Sequence, residues 1–345
     1  MKKVLALIMV LSMVLALCAC GQTTASPTSP PAASEAAPEA APEAPAAEPV
    51  TIRFGHSGTE EHQYHVFASK FKELIEAKSE GRIKVEIYTN AVLGNDREMI
   101  EGMLNGQQEM FVGSSTTSWV PETAVTDMPF LYRDYDHAYA CLNGFLFDEL
   151  GSRFEDNGLE LLGYVPIGWR NISNNVKPIN SAADLQGMKI RIPDMEVYSV
   201  TFTALGATTV TCALSELYMG LQQGIADGQD NPASTFYAQS FQEVQKYVSL
   251  THHMLGTNFV LCNLDWLNGL SADDQALIKE CSKEAMDYQW DFLRNAEDGL
   301  VQKIKDAGVE VNEPTDIESF RTACAEVPEK LGTVPMEWIE QIRGM

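Results

Sequence analysis

His56, His62 and His65, with Glu60 and Glu61 between them, form the densest set of metal-capable side chains in the sequence. Imidazoles three apart on a helix, as His62 and His65 would be, can share a metal ion. Yet His62-Gln63-Tyr64-His65 lacks the H-E-x-x-H arrangement of a zinc hydrolase, and no downstream cluster supplies a convincing further ligand. The chain also lacks a G-x-S-x-G elbow, a P-loop and a dinucleotide-binding glycine fingerprint. Catalysis is left without a good candidate, no cofactor is expected, and a metal-binding surface protein stands as an alternative only. Cys141, Cys212, Cys262, Cys281 and Cys324 contain no C-x-x-C pair and read as small buried hydrophobes.

The elements that would position any site follow from periodicity. Thr51–Gly55 and Ile83–Tyr88 alternate as strands, and Glu61–Lys78 carries Phe67, Phe71, Leu74 and Ile75 at helical spacing. Asn95 is placed to cap a helix over Asp96–Leu104, and Met110–Gly113 reads as a buried strand opening into a serine- and threonine-rich loop. Helical segments between Asp134 and Phe154 precede a strand over Leu159–Val165, an order that predicts an open, mainly parallel α/β sheet. A second unit starts near Gly168, with strands at Lys189–Pro193 and Thr208–Thr211 and a helix over Glu216–Gln223 capped by Ser215. Gly228–Pro232 reads as a turn, Phe259–Cys262 as a strand, and Ala272–Ala307 as one helix long enough to span both units. Two α/β lobes joined by crossing segments hold a ligand in the crevice at their strand ends.

Ahead of these lobes, Met1-Lys2-Lys3 and the apolar run Val4–Leu17 have the form of a secretory signal too short for a comfortable transmembrane span. Leu17-Cys18-Ala19-Cys20 resembles a bacterial lipobox, which implies lipidation at Cys20. Residues 21–50 are almost wholly Ala, Pro, Ser, Thr and Glu, a composition that cannot bury a core and acts as a semi-extended tether. The 345 residues hold 24 Lys and Arg against 48 Asp and Glu; leaving out Lys2, Lys3 and the four tether glutamates, 22 basic residues still face 44 acidic ones. A body this acidic cannot neutralise a nucleic-acid backbone, yet local arginines can still bind a small anion.

Six segments, in order, match one family's pattern: Phe54-Gly55-His56; Leu93-Gly94-Asn95-Asp96-Arg97; Gly168-Trp169-Arg170-Asn171-Ile172-Ser173; Asp184 to Pro193; Ser215-Glu216-Leu217-Tyr218; and Gly224 to Pro232. The chain resembles the substrate-binding proteins of TRAP (tripartite ATP-independent periplasmic) transporters over Thr51 to about Pro314. The resemblance implies an α/β, two-lobe, periplasmic-binding-protein-like fold with crossing hinge segments and a long helix spanning both lobes. Residues 51–167 with 257–296 would form one lobe, and 168–256 with 297–345 the other. It further implies an extracytoplasmic receptor, lipid-anchored to the outer face of the cytoplasmic membrane, that closes as a monomer on an organic acid. The closed receptor would hand its solute to the transporter's membrane subunits. A receptor for another importer class is the second alternative.

The family's central arginine, which pairs with the ligand carboxylate, falls on Arg191, where a guanidinium fork between Ile190 and Ile192 can give two charge-assisted hydrogen bonds. Its second arginine falls on Arg170, its turn asparagine on Asn231, and a residue near the ligand's polar tail on Asp96. His56, Ser57, Ser114, Trp169 and Asn258, as residues of strand ends and first loops, and Leu214 are expected to line the site. Where sialic-acid receptors of the family carry a glutamate, an arginine and an aromatic residue, this chain has Gly113, Thr116 and Leu214. Those departures point to a smaller acid: a hexuronate, an aldonate, a C4-dicarboxylate or another hydroxy or keto acid.

Overall fold

The computed structural model describes residues 48–345. The signal segment, Cys20 and all of the tether before Glu48 lie outside the described residues. The first strand starts one residue earlier than expected, as β1 (Val50–Gly55), followed by helix α1 (Gln63–Lys78), β2 (Ile83–Tyr88), α2 (Asp96–Leu104) and β3 (Met110–Gly113). β1 pairs in parallel with both β2 and β3, so their carboxyl ends point the same way. Helices α3 (Tyr135–Leu142) and α4 (Phe145–Glu155) come next.

Two long strands then dominate the centre. β4 (Leu159–Asn174) runs straight through Gly168, where a second unit was expected to begin; β5 (Lys189–Ile192), α5 (Glu196–Ala204), β6 (Thr208–Thr211), α6 (Leu214–Gln222), β7 (Gly228–Pro232) and α7 (Ala233–Ala238) lead to β8 (Tyr247–Asn263). β4 and β8 pair antiparallel from Leu159 opposite Asn263 to Asn174 opposite Tyr247, with register shifts at Leu161/Gly163, Pro166/Gly168 and Arg170/Ile172. Each bulge inserts unpaired residues that bend and twist the ribbon, which suits strands that cross between lobes. Gly168 sits at the middle shift with φ +113 and a Pro232 atom 3.1 Å from where a Cβ would be, so a side chain there would be strained and crowded.

The sheet order is β2-β1-β3-β8-β4-β7-β5-β6, parallel on both flanks and antiparallel at the centre, so it is mixed where a mainly parallel sheet was expected. After the short α8 (Leu264–Asn268), α9 (Ala272–Asp306) packs on α1 and β4 and further along on α7 and β9 (Glu310–Asn312). This is the long helix expected to span both units. One apolar cluster joins Phe54, Phe67 and Phe71 to Ala285 and Met286 of α9; another joins Leu217, Phe236 and Phe241 to Ile304. The chain closes with α10 (Ile317–Cys324), α11 (Val327–Leu331) and α12 (Met336–Gly344). α12 packs on α3 and α4, with Trp338 against Phe145 and the Ile342 carbonyl 2.8 Å from His137 Nε2.

Two local expectations are corrected. Gly228–Pro232 is a buried strand and not a turn, because its polar side chains find partners inside the sheet. Helix α6 starts at Leu214 rather than after a Ser215 cap; Glu216 reaches back to accept from the Ala213 N–H at 3.3 Å.

Candidate functional site

The parallel flanks direct the carboxyl ends of β1 and β3 from one side and of β5, β6 and β7 from the other toward a shared crevice, the natural ligand position of open α/β sheets. A cavity of about 280 Å³ lies there. Eight of the ten side chains expected from sequence line it: Ser57, Asp96, Ser114, Arg170, Arg191, Leu214, Asn231 and Asn258.

Both arginines are buried, yet their electrostatic situations differ. Arg170, on β4, donates from Nε to Asp230 Oδ2 at 2.6 Å and from Nη2 to the Asp230 carbonyl at 2.6 Å, and its guanidinium lies 4.8 Å from the centre of the Tyr198 ring. Burial works against both charges, but the attraction wins: it raises the Arg170 pKa and holds the Asp230 carboxyl well below the usual carboxylate range. His253 Nε2 stands 3.4 Å from the same carboxylate. Arg191, 3% exposed on β5, donates from Nε to the Cys212 carbonyl at 2.9 Å, and its Nη2 shares that acceptor. No carboxylate pairs with it among the described residues, and burial pulls its pKa below the ordinary arginine value. A buried cation without a counter-charge is costly, and an incoming carboxylate would relieve the cost.

The opposite wall is rich in acceptors. Asn95 and Glu98 form a reciprocal capping box that fixes the start of α2, and Asp96 follows at its first turn. The Asp96 carboxylate accepts from Ser57 Oγ at 2.6 Å, from the Ser114 N–H at 2.9 Å and from Ser114 Oγ at 3.0 Å. A Cβ at Gly113 would lie 2.8 Å from Asp96 Oδ2 and 2.4 Å from the Phe111 ring, so the glycine makes this arrangement possible and leaves no room for a larger residue there.

Several lining residues were not anticipated. The Tyr64 hydroxyl donates to Asn258 Oδ1 at 2.8 Å, and Asn258 Nδ2 is buried without a protein partner. His62 Nδ1 accepts from the Tyr64 N–H, which leaves Nε2 to carry the proton toward Thr235 Oγ1 at 3.0 Å; burial lowers the His62 pKa to about 3, so the ring is neutral. Asp127 ends a 3-10 helix over Pro121–Asp127, is 2% exposed, and accepts from the Tyr198 hydroxyl at 2.6 Å. Asn231 donates to Gln229, which donates to Ser173 Oγ at 2.7 Å.

A cavity between opposed strand ends, with one unpaired buried arginine and an acceptor-rich far wall, is a container for an organic anion. The family profile of bacterial extracellular solute-binding proteins, family 7, matches residues 54–332. The chain belongs to this family. It is 32% identical to the 2,3-diketo-L-gulonate-binding periplasmic protein of Escherichia coli, over 79% of this chain and 84% of that one. Among solved structures, the sugar acid binding protein of Advenella mimigardefordensis in complex with galactonate superposes with a TM-score of 0.83 at 28% identity, covering 87% of this chain and 98% of that one. A TRAP solute-binding protein of Polaromonas bound to D-erythronate gives 0.81 at 29% identity, covering 86% and 99%. The protein is thus an extracytoplasmic solute-binding receptor of the TRAP class, with the mixed α/β fold of that class.

Against this receptor frame, four expectations are revised. His56 does not line the cavity: its buried ring stacks edge-on with Tyr64 and faces His65 Nδ1 at 3.4 Å, and burial lowers its pKa to about 3. Trp169 also lies outside the lining, packed between Tyr135 and His252 at the crossing strands, because β4 turns its side chain away from the crevice. His56, His62 and His65 do not converge, since His62 points to Thr235, Glu60 and Glu61 are exposed, and no metal-capable group of three forms among the described residues. Cys212, read as a buried hydrophobe, is half-buried on the cavity wall and presents its carbonyl to Arg191; the other four body cysteines are buried.

Proposed function

We propose that the receptor binds a sugar acid or a related polyhydroxy monocarboxylate and delivers it to the membrane subunits of a TRAP transporter. The observation that carries this reading is Arg191, a buried, rigidly held guanidinium with no carboxylate partner among the described residues. The ligand carboxylate takes that place. Arg170 contributes donors not used by Asp230, and Asn231 and Asn258 supply amide groups beside them.

At the other end, the acceptor oxygens of Asp96 suit ligand hydroxyls and offer no donor to a second carboxylate, which favours a polyhydroxy acid over a C4-dicarboxylate. The cavity is near the small end of ligand pockets, roughly 300 Å³, which suits such a solute better than sialic acid. Relatives that bind 2,3-diketo-L-gulonate, galactonate and D-erythronate support the same class.

The receptor works by binding and not by catalysis. The solute bridges groups on both lobes, 51–167 with 257–296 and 168–256 with 297–345, and so favours the closed form. It acts as a monomer, tethered through residues 21–50 to a lipid on Cys20 at the outer face of the membrane.

A thermal-shift panel of galactonate, gluconate, galacturonate, 2,3-diketogulonate, succinate and sialic acid, with neutral sugars as controls, tests the reading. At about 100 times its Kd a native-state ligand adds roughly 2.7 kcal/mol, a clear rise in Tm. The largest shift is expected from a sugar acid. A response only to succinate would move the ligand to the dicarboxylates, and a response only to neutral sugars would refute the anion site.

A further inference from the structure

The cavity holds more negative charge than its arginines can balance. Arg170 and Arg191 are the buried cations, and Asp230, Asp127 and Asp96 are the carboxylates that face them or share the cavity. At the mouth Arg97 is already paired with Glu101, while Asp194 and Glu216 are exposed. His62 is held neutral and adds no positive charge. His253 lies behind Asp230, 3.4 Å from its carboxylate and outside the cavity lining. Bringing in one more carboxylate therefore asks for a proton, and among the carboxylates that line the cavity one is placed to accept it.

Asp230 cannot, because Arg170 holds it ionised at 2.6 Å. Asp96 already accepts three hydrogen bonds, from Ser57 and Ser114. Asp127 is different: it is fully buried, its Oδ1 is met by Tyr198 at 2.6 Å and its Oδ2 by Thr126 at 3.2 Å, and no cation pairs with it directly. Burial outweighs those hydrogen bonds and the more distant Arg170, with Asp230 adding repulsion, and pushes its carboxyl up to about 6. Tyr64 from α1 and Tyr132 are the other titratable side chains near enough to sense its charge, and both stay neutral because burial raises their pKa values.

We propose that Asp127 takes up a proton from solvent as the acid enters the cavity, so that the receptor captures its solute anion together with a proton. This rests on the anion-receptor reading above. The added negative charge at Arg191 raises the affinity of Asp127 for its proton; by linkage the protonated receptor binds the acid more tightly. The sign follows: affinity for the acid strengthens as pH falls through the bound-state midpoint toward about 6, and levels off below it.

The test titrates D-galactonate, D-gluconate and D-galacturonate calorimetrically into the protein at about pH 6.5, in two buffers of different ionisation enthalpy, with Asp127→Asn alongside. The wild type is expected to show a buffer-dependent heat that reports proton uptake, and a Kd that falls by up to about tenfold per pH unit from about 7.5 to 6. Asp127→Asn, which keeps an acceptor for Tyr198, is expected to lose both. Equal heats in the two buffers, or uptake that survives in Asp127→Asn, overturns the proposal. Should the variant not fold, a carboxyl-carbon NMR titration of the free wild type decides: a buried aspartate with a midpoint near 6 supports it, and all midpoints in the ordinary carboxylate range overturn it. If none of the three acids binds, the sugar-acid reading fails, while the free-protein titration still decides whether Asp127 is the proton acceptor.

Discussion

Arg170 and Arg191 stand on strands of the same sheet, line the same cavity and are almost equally buried, at 5% and 3% exposure. What separates them is the neighbour. Arg170 meets an internal carboxylate, Asp230, in a fork-like contact, whereas Arg191 meets only a backbone carbonyl. The first charge is settled inside the protein and holds β4 to β7; the second, in the proposed function, is left for the solute. The same residue type at the same depth is thus a scaffold element in one wall and, in the proposed function, a binding group in the other, decided by the presence of a counter-ion.

The most damaging way to break this contrast is to remove the internal pair. Arg170→Ala leaves Asp230 buried and uncompensated and is expected to cost about 3–5 kcal/mol of stability by urea unfolding. Arg191→Ala, which removes an unmatched buried cation, is expected to leave stability equal or higher in the same experiment. Comparable losses in both variants would erase the distinction.

The two buried aspartates sharpen it through pH. Asp230 has a depressed carboxyl, so its contribution to stability is present above the ordinary carboxylate range and is lost as pH falls through and below that range. Asp127 has a raised one, so stability falls as pH rises from the ordinary range to about 6. Asp127→Asn is therefore expected to stabilise the free protein by about 2–3 kcal/mol above pH 6 and by little near pH 4, read from unfolding midpoints against pH. A gain that did not depend on pH would contradict the assignment. On the acceptor wall, Asp96→Asn is expected to shift the ratio of galactonate to succinate affinity by about tenfold, or 1.4 kcal/mol, toward succinate. Asn95→Ala, which removes the cap that seats Asp96, should cost only about 1 kcal/mol of stability.

Much of this frame was legible in the residues. Asn95 caps α2 as its side-chain type and position indicate, and α9 ends within a residue of its expected bounds because its apolar spacing is uninterrupted. β7 was hidden because Asp230-Asn231-Pro232 has turn chemistry; its burial depends on partners, Arg170 and Ser173 among them, that lie about sixty residues away in sequence. β4 and β8 were seen only in their apolar halves, since glycines and bulges interrupt the alternation elsewhere. Arg191 could be read from its place between two isoleucines and from the family pattern. Asp127 and Tyr198 carry no local signal, because their meeting across 71 positions exists only in the fold.

The central claim is that Arg191 anchors the solute carboxylate. It is tested most directly by calorimetric titration of wild type and Arg191→Ala with the sugar acid that raises Tm most in the panel. A loss of about 2–5 kcal/mol in binding, with the fold intact, is the predicted result. Unchanged affinity in Arg191→Ala would contradict it and return the anchoring role to Arg170 or to another wall of the cavity.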